Sequence, residues 1–135
     1  MIVAYLTFNG NTEEAFNFYK SVLGGDIKTI QRFGGTPHGE QMPDADKKKV
    51  MHVTLETPHG TLMGNDHMEF MGGAYVAGNA FSLSLHPNSE AEARSLFDGL
   101  AKKGQVLMPL DKVFWGGYFG MLIDPYGVKW LVNYQ

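Results

Sequence analysis

Apolar and polar positions alternate with two different periods along this chain, and the periods switch in the same order twice. Residues 2 to 8 are apolar and β-prone and predict a first strand, which Asn9-Gly10-Asn11 breaks. Ala15, Phe16, Tyr19, Val22 and Leu23 then recur at helical spacing and predict a helix up to Leu23. Asn11 is placed to cap it, Glu14 to complete a capping box, and Gly24-Gly25 to end it. Residues 26 to 33 alternate loosely and predict a second strand, and residues 34 to 49 a long polar loop. Met51 to Asn65 reads as two strands around Pro58-His59-Gly60, a hairpin.

After an apolar connector the pattern restarts. Asn79 to Leu85 predicts a strand in which Phe81, Leu83 and Leu85 alternate with Ser82 and Ser84. Ser89 and Glu92 form a capping box for a helix with Ala93, Leu96, Phe97 and Leu100 on its inner face, stopped at Gly104. Residues 105 to 114 predict a strand bent or interrupted at Pro109. The last hairpin runs from Tyr118 to Ile123, turns at Asp124-Pro125-Tyr126-Gly127, and returns from Val128 to Tyr134. The hairpin turns lie 67 positions apart and the helix starts 78 apart, as expected if the first copy carries the longer loop. The predicted fold is α+β: two tandem βαβββ modules, residues 1–66 and 79–135 joined by connector 67–78, within a single domain 1–135. They are expected to form a cupped mixed β-sheet with helices on its outer face and a cleft on its inner face.

Composition narrows the function classes. A length of 135 residues with 44% hydrophobic and 19% charged content suits one folded domain. A net charge of −3 without a basic block argues against nucleic acid as a partner. The chain has no cysteine, which removes disulfides, thiolate metal sites and cysteine nucleophiles. No apolar run approaches the about 18 residues of a membrane span, and the first residues carry no basic, cleavable leader pattern. A cytoplasmic location is therefore expected.

A duplicated βαβββ module with Asp-Pro-x-Gly between its last strands resembles the vicinal oxygen chelate superfamily, the glyoxalase/bleomycin-resistance/dioxygenase proteins, over essentially the whole chain. Three segments resemble its PhnB-like branch more specifically. They are Phe8 to Lys20, Met42-Pro43 before Lys49-Val50-Met51-His52, and Phe114-Trp115-Gly116 with Phe119-Gly120-Met121 and the closing turn. A methyltransferase label sometimes attached to that branch has no support in the residues, because no glycine-rich nucleotide loop follows a first strand.

The resemblance implies a divalent metal held by His, Gln or Glu from the first and last strands of each module, with a Glu four residues past the turn glycine. Those places fall on Gly64 and Leu131, and near Val3 or Ala4 and Phe81 or Ser82. None is a usual ligand, and a one-residue slip to Met63, Tyr5 or Trp130 does not rescue the set. No metal and no other cofactor is therefore expected at the family position. A displaced divalent-metal or acid–base set built from His52, Asp66 and His67 is the alternative. His52 and Asp66 are then the candidate catalytic residues of a lyase, isomerase or dioxygenase-type enzyme. His59 and His86 are expected to be solvated, and His38 falls in the long loop.

Aromatic and apolar side chains near strand ends supply the other candidates. Phe8, Trp115, Tyr118 and Leu131 are the expected ligand-binding residues, since flat side chains lining a sheet grip planar or apolar molecules. Alternation places Tyr118 and Phe119 on opposite faces, and Lys129 and Asn133 on the face of Leu131, with Trp130 under the helices. The leading expectation is a protein that binds a small organic molecule without chelation. The apolar connector from Met68 to Val76 suits contact with a second copy in a homodimer.

Overall fold

A computed structural model describes residues 1–135 without a gap. The elements run in order as β1 (Ala4–Phe8), α1 (Thr12–Leu23), β2 (Asp26–Arg32), α2 (Asp44–Lys47), β3 (Val50–Thr57), β4 (Gly60–Asp66), β5 (Leu83–Leu85), α3 (Glu90–Ala101), β6 (Gln105–Lys112), β7 (Tyr118–Ile123) and β8 (Lys129–Tyr134). Both βαβββ modules are present, and each folds its own four-stranded mixed sheet, ordered β1-β4-β3-β2 and β5-β8-β7-β6. In each sheet the first strand pairs parallel to the last, and the remaining pairs are antiparallel. The chain divides into two compact units, 1–76 and 77–135.

In the first module α1 lays Ala15, Phe16, Tyr19 and Leu23 on one face of the sheet. Phe8 meets Phe16 edge-on at 6.3 Å between ring centres, and Val53, Leu55 and Leu62 complete the buried layer. Each such buried side chain stabilises the fold by about 1.5–3 kcal/mol. In the second module Ala93, Leu96, Phe97 and Leu100 of α3 close on Leu122, Trp130 and Val132. Each module has one glycine where a helix aromatic descends on the sheet. A Cβ on Gly64 would sit 2.8 Å from the Phe16 ring and 2.4 Å from the Leu6 carbonyl oxygen. A Cβ on Gly120 would sit 2.6 Å from the Phe97 ring. The two glycines occupy opposite strands of their hairpins: Gly64 on β4 faces Val53, and Gly120 on β7 faces Val132.

Several expectations are corrected in detail. The strand expected over residues 79–85 forms only at Leu83–Leu85, where Trp130 to Val132 of β8 supply its ladder. Before it the chain bends, and Phe81 is 89% exposed. The long loop after β2 contains two 3-10 turns, Phe33–Gly35 and Gly39–Gln41, and the single-turn α2. Asn11 makes no side-chain cap on α1, and at the helix start Asp66 from across the sheet accepts from the Thr12 amide. Ser89 does cap α3, accepting from the Glu92 amide at 3.1 Å, while the Glu92 carboxylate reaches the Asn88 amide. The left-handed residue after α3 is Lys103, with φ of 64°, ahead of Gly104. Strand β6 keeps its length past Pro109 at the cost of register shifts on either side of Met108.

Candidate functional site

The two hairpin turns differ in length, and this moves the positions compared between modules. In the first, Thr57 pairs directly with Gly60, so only Pro58 and His59 form the loop. In the second, the Asp124 amide bonds the Val128 carbonyl and Gly127 bonds back to Asp124, so the loop holds three residues. Leu55 and Leu122 remain 67 positions apart, but the residues opposite them, Leu62 and Trp130, are 68 apart. The counterpart of Leu131 is therefore Met63, and the expectation that Gly64 holds that place is corrected. Gly64 faces the helix. Thr57 and Asp124 end the outgoing strands alike: the Thr57 hydroxyl accepts from the His59 amide, and the Asp124 carboxylate from the Tyr126 and Val128 amides. Asp124 also takes the Trp130 indole N–H at 2.9 Å, which fixes that ring under α3.

On the face turned away from the helix, the first module sets Tyr5 beside Met63 and Met63 beside Thr54. The second module sets Ser84 beside Leu131 and Leu131 beside Met121. The resemblance puts metal ligands on the first and last strands of each module, where this face carries Tyr5 and Met63 in one and Ser84 and Leu131 in the other, in place of the Val3 or Ala4, Gly64 and Phe81 or Ser82 counted from the sequence. Two hydroxyls, a thioether and an alkyl chain do not make the charged oxygen and nitrogen set that a divalent ion needs, so the residues present do not fit the superfamily metal. No group of three or more His, Asp or Glu side chains converges elsewhere.

The structure separates the displaced set. Asp66 lies on the helix side of β4 and is buried, and its carboxylate is fully engaged. One oxygen accepts from the Thr12 amide at 3.1 Å and the Thr12 hydroxyl at 2.6 Å, and the other accepts from the Val50 amide at 2.7 Å. His67 Nε2 lies 2.6 Å from the Gly73 carbonyl oxygen, while its own amide bonds Phe8. His52 is on the opposite face of the sheet from Asp66. There the Tyr5 hydroxyl lies 3.0 Å from His52 Nδ1, and His52 Nε2 lies 2.8 Å from the Thr54 hydroxyl. The Tyr5 and His52 rings are 5.6 Å apart. Partial burial raises the Tyr5 phenol above its ordinary value. Tyr5 reaches His52 across β4, a contact between strands that are not neighbours in the sheet and that no sequence spacing announces.

Of the four expected ligand-binding residues, Phe8 lies in the core beneath α1. Tyr118 is paired with Tyr134 and stacked on it at 6.5 Å, on the helix side. Hydrogen bonding to Glu90 at the start of α3 is the leading cause that raises its phenol, followed by the Glu90 charge. Leu131 lies on the helix-free face with Lys129 and Asn133, and Phe119 joins that face across from Asn133. Trp115, in the turn before β7, is 52% exposed and leans on Phe119 with ring centres 6.3 Å apart. The helix-free face of the second module thus carries Trp115, Phe119, Met121 and Leu131 together. Asn133 shares it, and its side-chain oxygen is buried without a hydrogen-bond partner. Its counterpart Asn65 accepts from Thr7 at 2.8 Å. Phe119 belongs to this group because Gly120, next along the strand, packs against the helix. Phe119 therefore stands where Tyr118 is expected from the sequence, and Tyr118 faces the helix side.

A separate groove of about 620 Å³ opens on the first module between the start of α1 and the segment leading into β3, with Glu13, Arg32, Lys48 and Lys49 along it and Asp66 at its base. Its charges are largely spent on one another: Arg32 grips both oxygens of Glu13 at 3.0 Å, and Lys49 pairs with Asp46 at 3.1 Å. No helix of the protein is long and apolar enough to cross a membrane.

Comparison with known proteins agrees with this architecture over the whole chain. The family model of the Glyoxalase/Bleomycin resistance protein/Dioxygenase superfamily matches residues 2–132. Protein YjdN of Escherichia coli (strain K12) is 29% identical over 140 aligned residues, covering 96% of this chain and 91% of that protein. The crystal structure of protein PA1353 from Pseudomonas aeruginosa superposes with a TM-score of 0.87 at 41% identity, covering 100% of this chain and 97% of the other. The PhnB protein from Bacillus cereus superposes with a TM-score of 0.80 at 31% identity, covering 99% and 98%. With its duplicated βαβββ modules, this chain belongs to the Glyoxalase/Bleomycin resistance protein/Dioxygenase superfamily and is PhnB-like.

Proposed function

We propose that this PhnB-like protein binds a small organic molecule on the helix-free face of its second module. The observation that carries the reading is the grouping of Trp115, Phe119, Met121 and Leu131 on one side of a sheet. Aromatic and thioether side chains offer a planar or apolar molecule dispersion contacts. Leu131 and Met63, at the superfamily's ligand positions, favour binding without chelation.

The protein contains two tryptophans, Trp115 half exposed and Trp130 buried, so emission changes on binding arise at Trp115. Titration with quinoline and naphthalene derivatives is expected to quench that emission saturably, and Trp115→Phe together with Leu131→Glu to abolish the parallel thermal stabilisation. Linear, unsaturable quenching unaffected by Leu131→Glu would remove the reading.

Homodimerisation is part of the same proposal. Phe70 and Val76 of the connector are 70% and 82% exposed, apolar surface that a second copy would cover. Sedimentation should show a dimer that Phe70→Asp and Val76→Asp dissociate; a wild-type monomer at micromolar concentration would refute it.

The enzyme alternative, a lyase, isomerase or dioxygenase-type activity, rests on one observation, the contact between Tyr5 and His52.

A further inference from the structure

The short link from β1 to α1 holds Asn9 followed by Gly10, and nowhere else does this chain place glycine after asparagine. Both residues are exposed and lie outside any helix or strand. Gly10 has φ of 94°, a Cβ built on it would meet nothing within 4 Å, and its amide donates to no other group. The link is nonetheless pinned at both ends. The Phe8 carbonyl accepts from the His67 amide at 2.7 Å, and the Asn11 carbonyl accepts from the Ala15 amide at 3.0 Å. Asp66 holds the amide and hydroxyl of Thr12.

We infer that Asn9-Gly10 is a site of spontaneous modification, at which the Asn9 side chain closes on the Gly10 amide and reopens as aspartate or isoaspartate. The Gly10 nitrogen gives up its proton and attacks Asn9 Cγ. The bond from Cγ to the side-chain nitrogen breaks, that nitrogen leaves with the proton as ammonia, and a five-membered succinimide remains. Water then adds to one ring carbonyl, and the ring bond from that carbonyl to nitrogen breaks. Addition at Cγ gives aspartate with the original backbone. Addition at the backbone carbonyl leaves the chain running through Cβ and Cγ, as isoaspartate. One ammonia is lost and one water consumed, and no other reactant takes part. Ring closure asks for an amide held by no hydrogen bond, no side chain in its path and a backbone free to turn, and Gly10 supplies all three.

The rest of the chain supplies internal comparisons. Asn79 is exposed outside regular structure too, but Ala80 brings a Cβ to the ring closure. Asn11 precedes β-branched Thr12, whose amide donates to Asp66. Asn65 lies buried on β4 and accepts from the Thr7 hydroxyl at 2.8 Å. Asp98-Gly99, which would cyclise by the same attack with loss of water, lies within α3, where the helical ladder engages the Gly99 amide. Both products at position 9 add a carboxylate beside the groove that Gly10 and Asn11 line. Isoaspartate also adds one methylene to the main chain of a link with pinned ends, and so loosens the hold of Asp66 on Thr12.

This inference concerns the first module and stands apart from the binding reading. The test holds the full chain in mildly alkaline buffer at physiological temperature and follows it by peptide mapping with mass spectrometry. Isoaspartate is counted by its acceptance of methyl groups from an isoaspartyl methyltransferase. Asn9 is expected to gain the mass of deamidation faster than every other asparagine by about tenfold or more, the weight of one residue's backbone freedom. Asn9→Gln, which would have to close a six-membered ring, and Gly10→Ala are each expected to stop the conversion at this position. If Gly10→Ala fails to fold at its positive φ, Asn9→Gln carries the comparison. In the separated isoaspartate form the Thr12 amide should exchange its hydrogen faster than in fresh protein, and in Asn9→Asp, which changes charge alone, it should not. Conversion of Asn9 no faster than that of Asn79 overturns the inference, and unchanged Thr12 protection in the isoaspartate form overturns the loosening of α1.

Discussion

Replacing Asp66 by Asn separates a structural carboxylate from a chemical one. The substitution keeps size and shape and exchanges one acceptor oxygen for an NH2 group. Thr12 needs one acceptor for both its amide and its hydroxyl, at 3.1 and 2.6 Å, and the asparagine oxygen can serve there. The NH2 group must then face the Val50 amide, which now has its acceptor at 2.7 Å. Two donors meet in a site where Asp66 is 3% exposed. Loss of a hydrogen bond to a charged group costs about 1.5–3 kcal/mol, and an unsatisfied buried N–H about 1–3 kcal/mol. These overlap, since they describe one lost contact, and the expected destabilisation is about 3 kcal/mol. For a chain of this length that lowers the midpoint of thermal unfolding by roughly 10 °C. Urea unfolding followed by circular dichroism measures the loss, and hydrogen exchange at Val50 localises it. Asp66→Ala, which strands all three donors, is expected to cost more than Asp66→Asn. A stability within about 0.5 kcal/mol of wild type for Asp66→Asn, with Val50 protection unchanged, would refute the structural assignment and return Asp66 to the candidates for chemistry.

The same logic applies in the second module. Asp124→Asn turns an amide toward the Trp130 indole N–H or toward the Tyr126 and Val128 amides, and should cost about 2 kcal/mol in urea unfolding; no change would show that the indole bond is dispensable. Gly64→Ala places a methyl 2.4 Å from the Leu6 carbonyl oxygen, and since backbone cannot yield as a side-chain end can, about 3 kcal/mol should be lost; a fully stable variant would refute the close approach of β1. The raised Tyr5 phenol means that the folded protein holds this proton more tightly than the unfolded chain does. Its contribution to stability is therefore complete below the ordinary value of 10.0 and is lost as pH rises through the higher folded value. Near-ultraviolet titration of Tyr5→Phe against wild type should remove a phenol that ionises late; removal of one that ionises at the ordinary value would contradict the burial.

The order of elements was legible in the sequence because hydrophobic periodicity is a local property. Ala15, Phe16, Tyr19 and Leu23 mark one helix face by spacing alone, and all four are buried there. The duplication was legible for the same reason, since turn and cap residues recur at fixed offsets. Placing residues on sheet faces was partly legible: alternation put Trp130 under the helix and Lys129, Leu131 and Asn133 on the opposite face. Alternation alone left Tyr118 and Phe119 to be told apart, and the packing of Gly120 against Phe97 of α3 decides between them.

What the sequence could not determine depends on pairing between distant segments. A one-residue difference in loop length shifts the return strand by one place, and in a sheet one place exchanges the faces. That is why Met63 and not Gly64 stands opposite the role of Leu131. Asn11 is a good cap by composition, yet its side chain makes no cap bond, and the acceptor that reaches the helix start is Asp66, which arrives across the sheet for the Thr12 amide and hydroxyl. Tyr5 and His52 are 47 residues apart and sit on strands separated by a third. Local pattern fixes which residues can form a strand and which of them share a side. Only the register of parallel β1 on β4, set by tertiary packing, brings that phenol to that imidazole.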